Sequence, residues 1–308
     1  MNTISINTYN ASSIGYKPYD YFKQAGWENL SIAYQVEEFS ALASDDWMDY
    51  VLAIKKEMDS RMMRCVQTHL PYYDLLRDSS DSDETTDLVI ERGIRLCAML
   101  GAKWGVYHCR TSFKYGDSQK GNEQSFYDNL KLLQRLLKVA REVDVGIAVE
   151  NLPDFYPGVP VHLFATNYHD VIHLVDELDD PEHVGICWDF GHAHMNHDDQ
   201  ATALREIGPR LKATHIHSNY GFNDDHLPIA LGTINWDEMM RVLAEIGYNE
   251  SLSIEALWPG DKVSGCTYEM PGYAKSLEQF AVSYFRHNFE IVKILQENLS
   301  SFKKQMMA

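Results

Sequence analysis

The chain has 308 residues, more than the roughly 100 to 200 of a usual single domain and close to the size of an α/β barrel of about 250. Hydrophobic residues make up 45% and charged residues 23%, which excludes intrinsic disorder and supplies a large core. The formal net charge of −18 repels polyanions at long range, so nucleic acid and anionic membrane are disfavoured as partners.

The first residues, MNTISINTYN, have no basic segment leading into an apolar one, and no apolar stretch approaches the roughly 20 residues of a spanning helix. A cytoplasmic location is expected. The five cysteines (Cys65, Cys97, Cys109, Cys187, Cys266) are odd in number and lack CxxC spacing, so they are expected to be reduced, buried thiols.

In chain order, short runs rich in β-branched and aliphatic residues alternate with longer segments of helical period. The strands are expected at TISINTY (3–9), LSIAYQV (30–36), RCVQTH (64–69), WGVYH (104–108), VGIAVEN (145–151), VGICWD (184–189), LKATHIH (211–217) and SLSIEAL (251–257). Between them, segments such as 83–101, 125–143 and 236–248 repeat apolar residues every three or four positions, as amphipathic helices do, with Gly101 and Gly247 as stops. Eight alternations predict an α/β fold of the (β/α)8 TIM barrel type rather than two domains. An open doubly wound sheet is disfavoured because no GxGxxG follows the first strand. The barrel is expected over residues 1–265. Residues 266–308 form a helical extension packed on the barrel or at a subunit interface.

Barrels of this kind carry their chemistry at the C-terminal ends of the strands. Those positions hold His69, His108, Glu150, Asp189, His217 and Glu255. Without a cation, such a ring would accumulate carboxylate repulsion; a divalent metal accepts oxygen and nitrogen ligands together. His192, three residues past Asp189, and the Asp224-x-His226 pair in the loop after strand seven add further ligand candidates. His194 and His197 read as bystanders. His215 points the same way as His217 one layer deeper, and reads as a packed or supporting histidine.

These residues resemble a known family. VEN at 149–151, DFGH at 189–192, HIH at 215–217, the loop from DxH to GTINW and IEAL at 254–257 look like the xylose isomerase-like TIM barrel superfamily. It groups sugar isomerases and epimerases with the endonuclease IV type of abasic-site nuclease (AP endonuclease family 2). The resemblance runs over about residues 3 to 260. It implies one divalent metal (Mn, Mg, Co or Zn) held by Glu150, Asp189, His217 and Glu255, with the two glutamates as catalytic proton carriers. For the nuclease branch it implies up to three metals, which also use His69, His108, His192, Asp224 and His226.

Few basic residues follow the strands, so DNA and phosphorylated sugars fit poorly. The arginine that follows the strand-seven histidine in ketose epimerases is not seen in HSNYGFNDD. Arg110 and Trp258 are expected to contact substrate, with Tyr115, Phe155, Tyr156 and Tyr220 as further aromatic faces near the mouth. The expected function is a metal-dependent sugar isomerase or epimerase that moves protons through an enediolate of a carbohydrate or polyol ketone. Its partner is a small-molecule carbohydrate, with a homo-oligomer open. The alternatives are an endonuclease IV-like multinuclear zinc phosphodiesterase, or a metal-dependent lyase or C-glycoside-cleaving subunit of the same superfamily.

Overall fold

The structure, a computed structural model, describes residues 2–8, 18–33, 36–71, 78–79, 84–154, 157–256 and 273–307. Eight parallel strands close into a barrel in chain order: β1 (Ile4–Asn7), β2 (Asn29–Ile32), β3 (Arg64–His69), β4 (Trp104–Tyr107), β5 (Gly146–Glu150), β6 (Val184–Asp189), β7 (Leu211–Ile216) and β8 (Leu252–Ile254). The barrel closes where β8 pairs with β1, Ile4 opposite Leu252 and Ile6 opposite Ile254. The fold is therefore the expected (β/α)8 TIM barrel. Strands three and six have the expected bounds, and the others are shorter by one to four residues. Apolar composition extends past the last ladder pair, and composition alone cannot say where pairing stops.

The helices are α1 (Pro18–Ala25), α2 (Val36–Ala43), α3 (Trp47–Asp59), α4 (Glu84–Leu100), α5 (Gln119–Val143), α6 (Tyr168–Leu178), α7 (Phe190–Met195), α8 (Gln200–Ile207), α9 (Trp236–Glu245) and α10 (Tyr273–Met307). Ser118 caps α5 and Asn167 caps α6, each accepting a backbone N–H of the first turn. Gly101 and Gly247 have φ of 82° and 72°, the left-handed conformation that ends a helix without a Cβ clash.

Two cores result. The larger lies between strands and helices. The smaller fills the barrel interior with Trp104, Val106, Ala148, Cys187 and Ala213. A Cβ on Gly146 would collide with the Trp104 ring, so that glycine makes room for the indole that plugs the interior. Cys65, Cys97, Cys109 and Cys187 are free and buried as expected, and burial pushes their thiols up. Cys266 lies outside the described residues.

Helix α10 packs on α1 and α9. Trp27 donates its indole N–H to the Phe285 carbonyl at 2.9 Å and meets Phe289 edge-on, and Lys303 Nζ reaches Asn2 and Asn249 at 2.9 and 2.8 Å. Among the described residues, no helix is long and apolar enough to cross a membrane.

Candidate metal centre

Side chains on a strand alternate faces, so the inward series on each strand is every second residue. Above the interior plug, the next inward positions are His69, His108, Glu150, Asp189, His215 and Glu255, with Asn7 on β1. They converge on the barrel axis at the C-terminal end, and all but His108 are buried almost completely.

The inner cluster is Glu150, Asp189, His215 and Glu255, with one ligand atom from each lying within 4.8 Å of the others. His215 Nδ1 sits 2.8 Å from Glu150 Oε1 and 2.8 Å from Glu255 Oε2, midway between the two glutamates. The sequence reading put His217 in this ligand set and His215 behind it; here His215 stands between the two glutamates, and His217 Nε2 reaches Asp189 Oδ1 at 3.0 Å from the segment beyond. Strand register is the reason. His215 pairs with Asp189 and β7 ends at Ile216, so His215 is the last inward strand position and stands level with Asp189. His217 lies in the turn beyond.

Glu150 and His215 join this cluster to a second one with His69, and His108 lies beside it. Glu150 Oε2 is 2.9 Å from His108 Nε2 and 3.3 Å from His69 Nε2, and the two imidazole nitrogens are 3.1 Å apart. His69 Nδ1 lies 2.8 Å from the Leu70 carbonyl, which turns Nε2 inward toward Glu150 and His108.

The outer cluster is His192, His217, Asp224 and His226. His192 Nδ1 donates to the Asn151 carbonyl at 2.9 Å and His226 Nδ1 to the Glu255 carbonyl at 2.8 Å. Their Nε2 atoms face Asp224 Oδ2 at 3.5 and 3.1 Å. The His217 ring stacks on His226 with centroids 3.8 Å apart, and its Nε2 lies 3.0 Å from Asp189, which ties the outer cluster to the inner one. Gly191 is required here because a Cβ at that position would run into the His217 ring. His226 takes φ of 44°, a left-handed strain that a bulky residue adopts only where its surroundings enforce it.

The electrostatics match this crowding. Burial alone would raise the Glu150 carboxyl, but His215 and His108 outweigh it and hold Glu150 well below the usual range. Asp189, Glu255 and Asp224 are lowered in the same way by neighbouring imidazoles that overcome burial. For the histidines, burial alone would lower His215 and His192, but their carboxylate neighbours push both well up; His226 is pushed up to about 9, chiefly by Asp224. Burial wins at His108, which is lowered. Buried acids and imidazoles this close, several with Nδ1 tied to a carbonyl, fit divalent cations. The Nε2 atom of His215 and the Nδ1 atom of His217 are buried without a hydrogen-bond partner from the described residues.

Asn7 donates to Glu255 Oε1 at 2.9 Å, and Asn151 brackets the Asp189 backbone with bonds of 2.7 and 3.0 Å. Sequence reasoning missed both asparagines, although Asn7 occupies a strand end that the strand-end rule could have flagged. Arg110 is placed differently from the expectation: its guanidinium is buried and pairs with Asp87 of α4 at 2.7 Å. His194 bonds Thr233 at 2.8 Å and joins neither cluster. Tyr115 carries Lys120 Nζ 4.0 Å over its ring, and Tyr220 is exposed. Trp258, Phe155 and Tyr156 lie outside the described residues.

Comparisons with known proteins agree with this fold. L-ribulose 3-epimerase superposes with a TM-score of 0.71 at 13% identity, covering 100% of this chain and 99% of that one. A D-tagatose 3-epimerase-like protein gives 0.68 at 18% identity over 93% and 99%, and the IolI protein, solved with a bound zinc atom, 0.67 at 16% over 96% and 99%. Among sequence relatives, the uncharacterized protein MJ1311 of Methanocaldococcus jannaschii is 32% identical over 130 residues, 42% of each chain. The uncharacterized protein y4fM of Sinorhizobium fredii is 28% identical over 189 residues, 61% of this chain and 58% of that one. The chain thus matches less than two thirds of the length of these relatives. A family model for the xylose isomerase-like TIM barrel matches residues 11–281, nearly the whole barrel, and with the strand-end ring in place the chain belongs to that family.

Proposed function

We propose that the chain is a divalent-metal-dependent sugar isomerase or epimerase that moves a proton through an enediolate of a carbohydrate or polyol ketone. One observation carries this reading: Glu150 at the end of β5 and Glu255 just past β8 flank a common point, each 2.8 Å from the same His215 nitrogen. Glu150, Asp189, His215 and Glu255 would hold the ion. When bound, such an ion supplies Lewis acidity to a carbonyl and its neighbouring hydroxyl.

One of Glu150 and Glu255 takes the proton of the substrate C–H, and a proton is returned by the other to the opposite face of the planar enediolate, which inverts the centre, or to the neighbouring carbon, which moves the carbonyl. Asn7 fixes the Glu255 carboxylate, and His108 fixes that of Glu150. Asp189 is held by His217 and by the His192 backbone N–H at 2.7 Å, which suits it to a ligand role. The neighbours named as sugar epimerases lend support. The test is solvent deuterium incorporation at the sugar C–H in a panel of ketoses. Glu150→Gln and Glu255→Gln are each expected to lose roughly 10²- to 10⁴-fold in rate. Exchange that survives both changes would end this reading.

The outer cluster favours a second reading, a multinuclear zinc phosphodiesterase, because its imidazoles and Asp224 make a separate ligand set. The charge of −18 opposes a DNA substrate. Three bound zinc ions together with cleavage of abasic DNA would establish it.

A further inference from the structure

A cavity of about 750 Å³ opens between the N-termini of α5 and α6 and the end of α7, on the segments that follow β4, β5 and β6. We propose that it seats a neutral saccharide ring, the non-reacting part of a glycoside or short oligosaccharide whose reacting sugar lies at the metal centre. This assignment of substrate class rests on the isomerase reading above.

Four observations carry it. The volume lies within the roughly 300–1,000 Å³ of ligand sites. No lysine or arginine lines the cavity among the described residues, while Asp117, Asp154, Asp170 and Asp198 do, which disfavours phosphate and carboxylate ligands and favours hydroxyl donors. The acceptors are not used up. Asp198 Oδ2 is buried without a hydrogen-bond partner, burial pushes the Asp198 carboxyl up to about 6, and Asp170 is raised by burial against the single amide of Asn122. Buried acceptors left open in this way cost free energy that donor hydroxyls would recover. Val161, Phe164 and Met195 supply an apolar wall for the C–H face of a sugar ring.

Position adds a fifth observation. Ser112, Asp154 and Asn196 line the cavity, and each lies four residues beyond a residue of the centre: His108, Glu150 and His192. Four residues span at most roughly 14 Å. Two loops and helix α7 thus lead from the ligands to the cavity within the length of a two- or three-ring saccharide.

The test is equilibrium binding of cellobiose, maltose and glucose to the full chain after metal removal, with glucose 6-phosphate as the charged probe. Calorimetry and saturation-transfer NMR supply the readout. At least one disaccharide is expected to bind at least tenfold tighter than glucose, and the phosphate not at all. Gln119→Trp, a change at an exposed lining residue that plugs the mouth, and Asp198→Ala are each expected to weaken the disaccharide tenfold or more while thermal melts show a folded chain. Disaccharide binding that is no tighter than that of glucose, or is equal in both variants, overturns the proposal. Because no turnover is required, a sugar panel without proton exchange would end the isomerase reading and leave the cavity result standing. Exchange on free ketoses without disaccharide binding would do the reverse.

Discussion

The inner and outer clusters use the same ligand types on different supports. The inner one stands on strand ends: Glu150, Asp189 and His215 are the last inward residues of β5, β6 and β7, fixed by the ladder and buried. The outer one stands on α7 and the loop after β7, and Asp224 is a third exposed. The inner set is rich in carboxylates and the outer set rich in imidazoles. A rigid, acidic set suits proton transfer at the sugar, while a set on a helix and a loop suits ion capture and loop fixation. Asp189 touches both, through His215 on one side and His217 on the other.

The largest expected effect separates the two by mutation. Asp189→Asn removes a buried carboxylate shared by both clusters and should lower turnover by at least about 100-fold, with a matching loss in metal affinity. Asp224→Asn should cost one equivalent of metal but less than about tenfold in turnover. Elemental analysis and chelator competition alongside the exchange assay measure both. Equal losses would mean that the clusters work as one unit, which would break the comparison in favour of a multinuclear mechanism.

Next in size is Gly191→Ala. The added methyl meets the His217 ring, which is buried and pinned by its stack on His226, so neither partner can move away cheaply. Overpacking of this kind costs roughly 1–3 kcal/mol. In a chain of this size that corresponds to a fall of several degrees in Tm. The loss should be joined by weaker outer-site metal binding, with the inner site retained. A melt unchanged from wild type would show that the ring swings aside and that the outer cluster is looser than its geometry.

The barrel was legible because eight strand–helix alternations each carry their own period, and the ring was legible because chemistry at strand ends needs no tertiary information. The level of each side chain was not. HIH at 215–217 offers two inward histidines two residues apart, and only the pairing of Asp189 with His215 shows which one stands at the ligand layer. Arg110 makes a related point. A basic residue two positions past a strand-end histidine looks like an anion contact, but its partner, Asp87, comes from α4, and such pairings between distant segments leave no mark in local spacing.

The finest distinction between the clusters is their response to pH. An imidazole must lose its proton before it can ligate, so any histidine that is protonated in the metal-stripped chain ties metal affinity to pH. In the outer cluster, His192 is pushed well up and His226 up to about 9, so an ion there displaces about two protons in neutral solution. In the inner cluster, His215 is raised, and the neighbouring His108 is held down by burial, so about one proton is displaced. Each displaced proton makes the apparent affinity change about tenfold per pH unit. Between about pH 6.5 and 8, outer affinity should therefore rise about 100-fold per unit and inner affinity about tenfold, and acidification should empty the outer site first. In the metal-stripped chain the sign reverses. A raised histidine pKa contributes stability that is fully present below about 6.5, the unfolded value, and is lost as pH rises through about 9. Melts with and without zinc should accordingly diverge as pH increases. Parallel pH slopes for the first and second equivalents of metal would show that the two clusters share their protons.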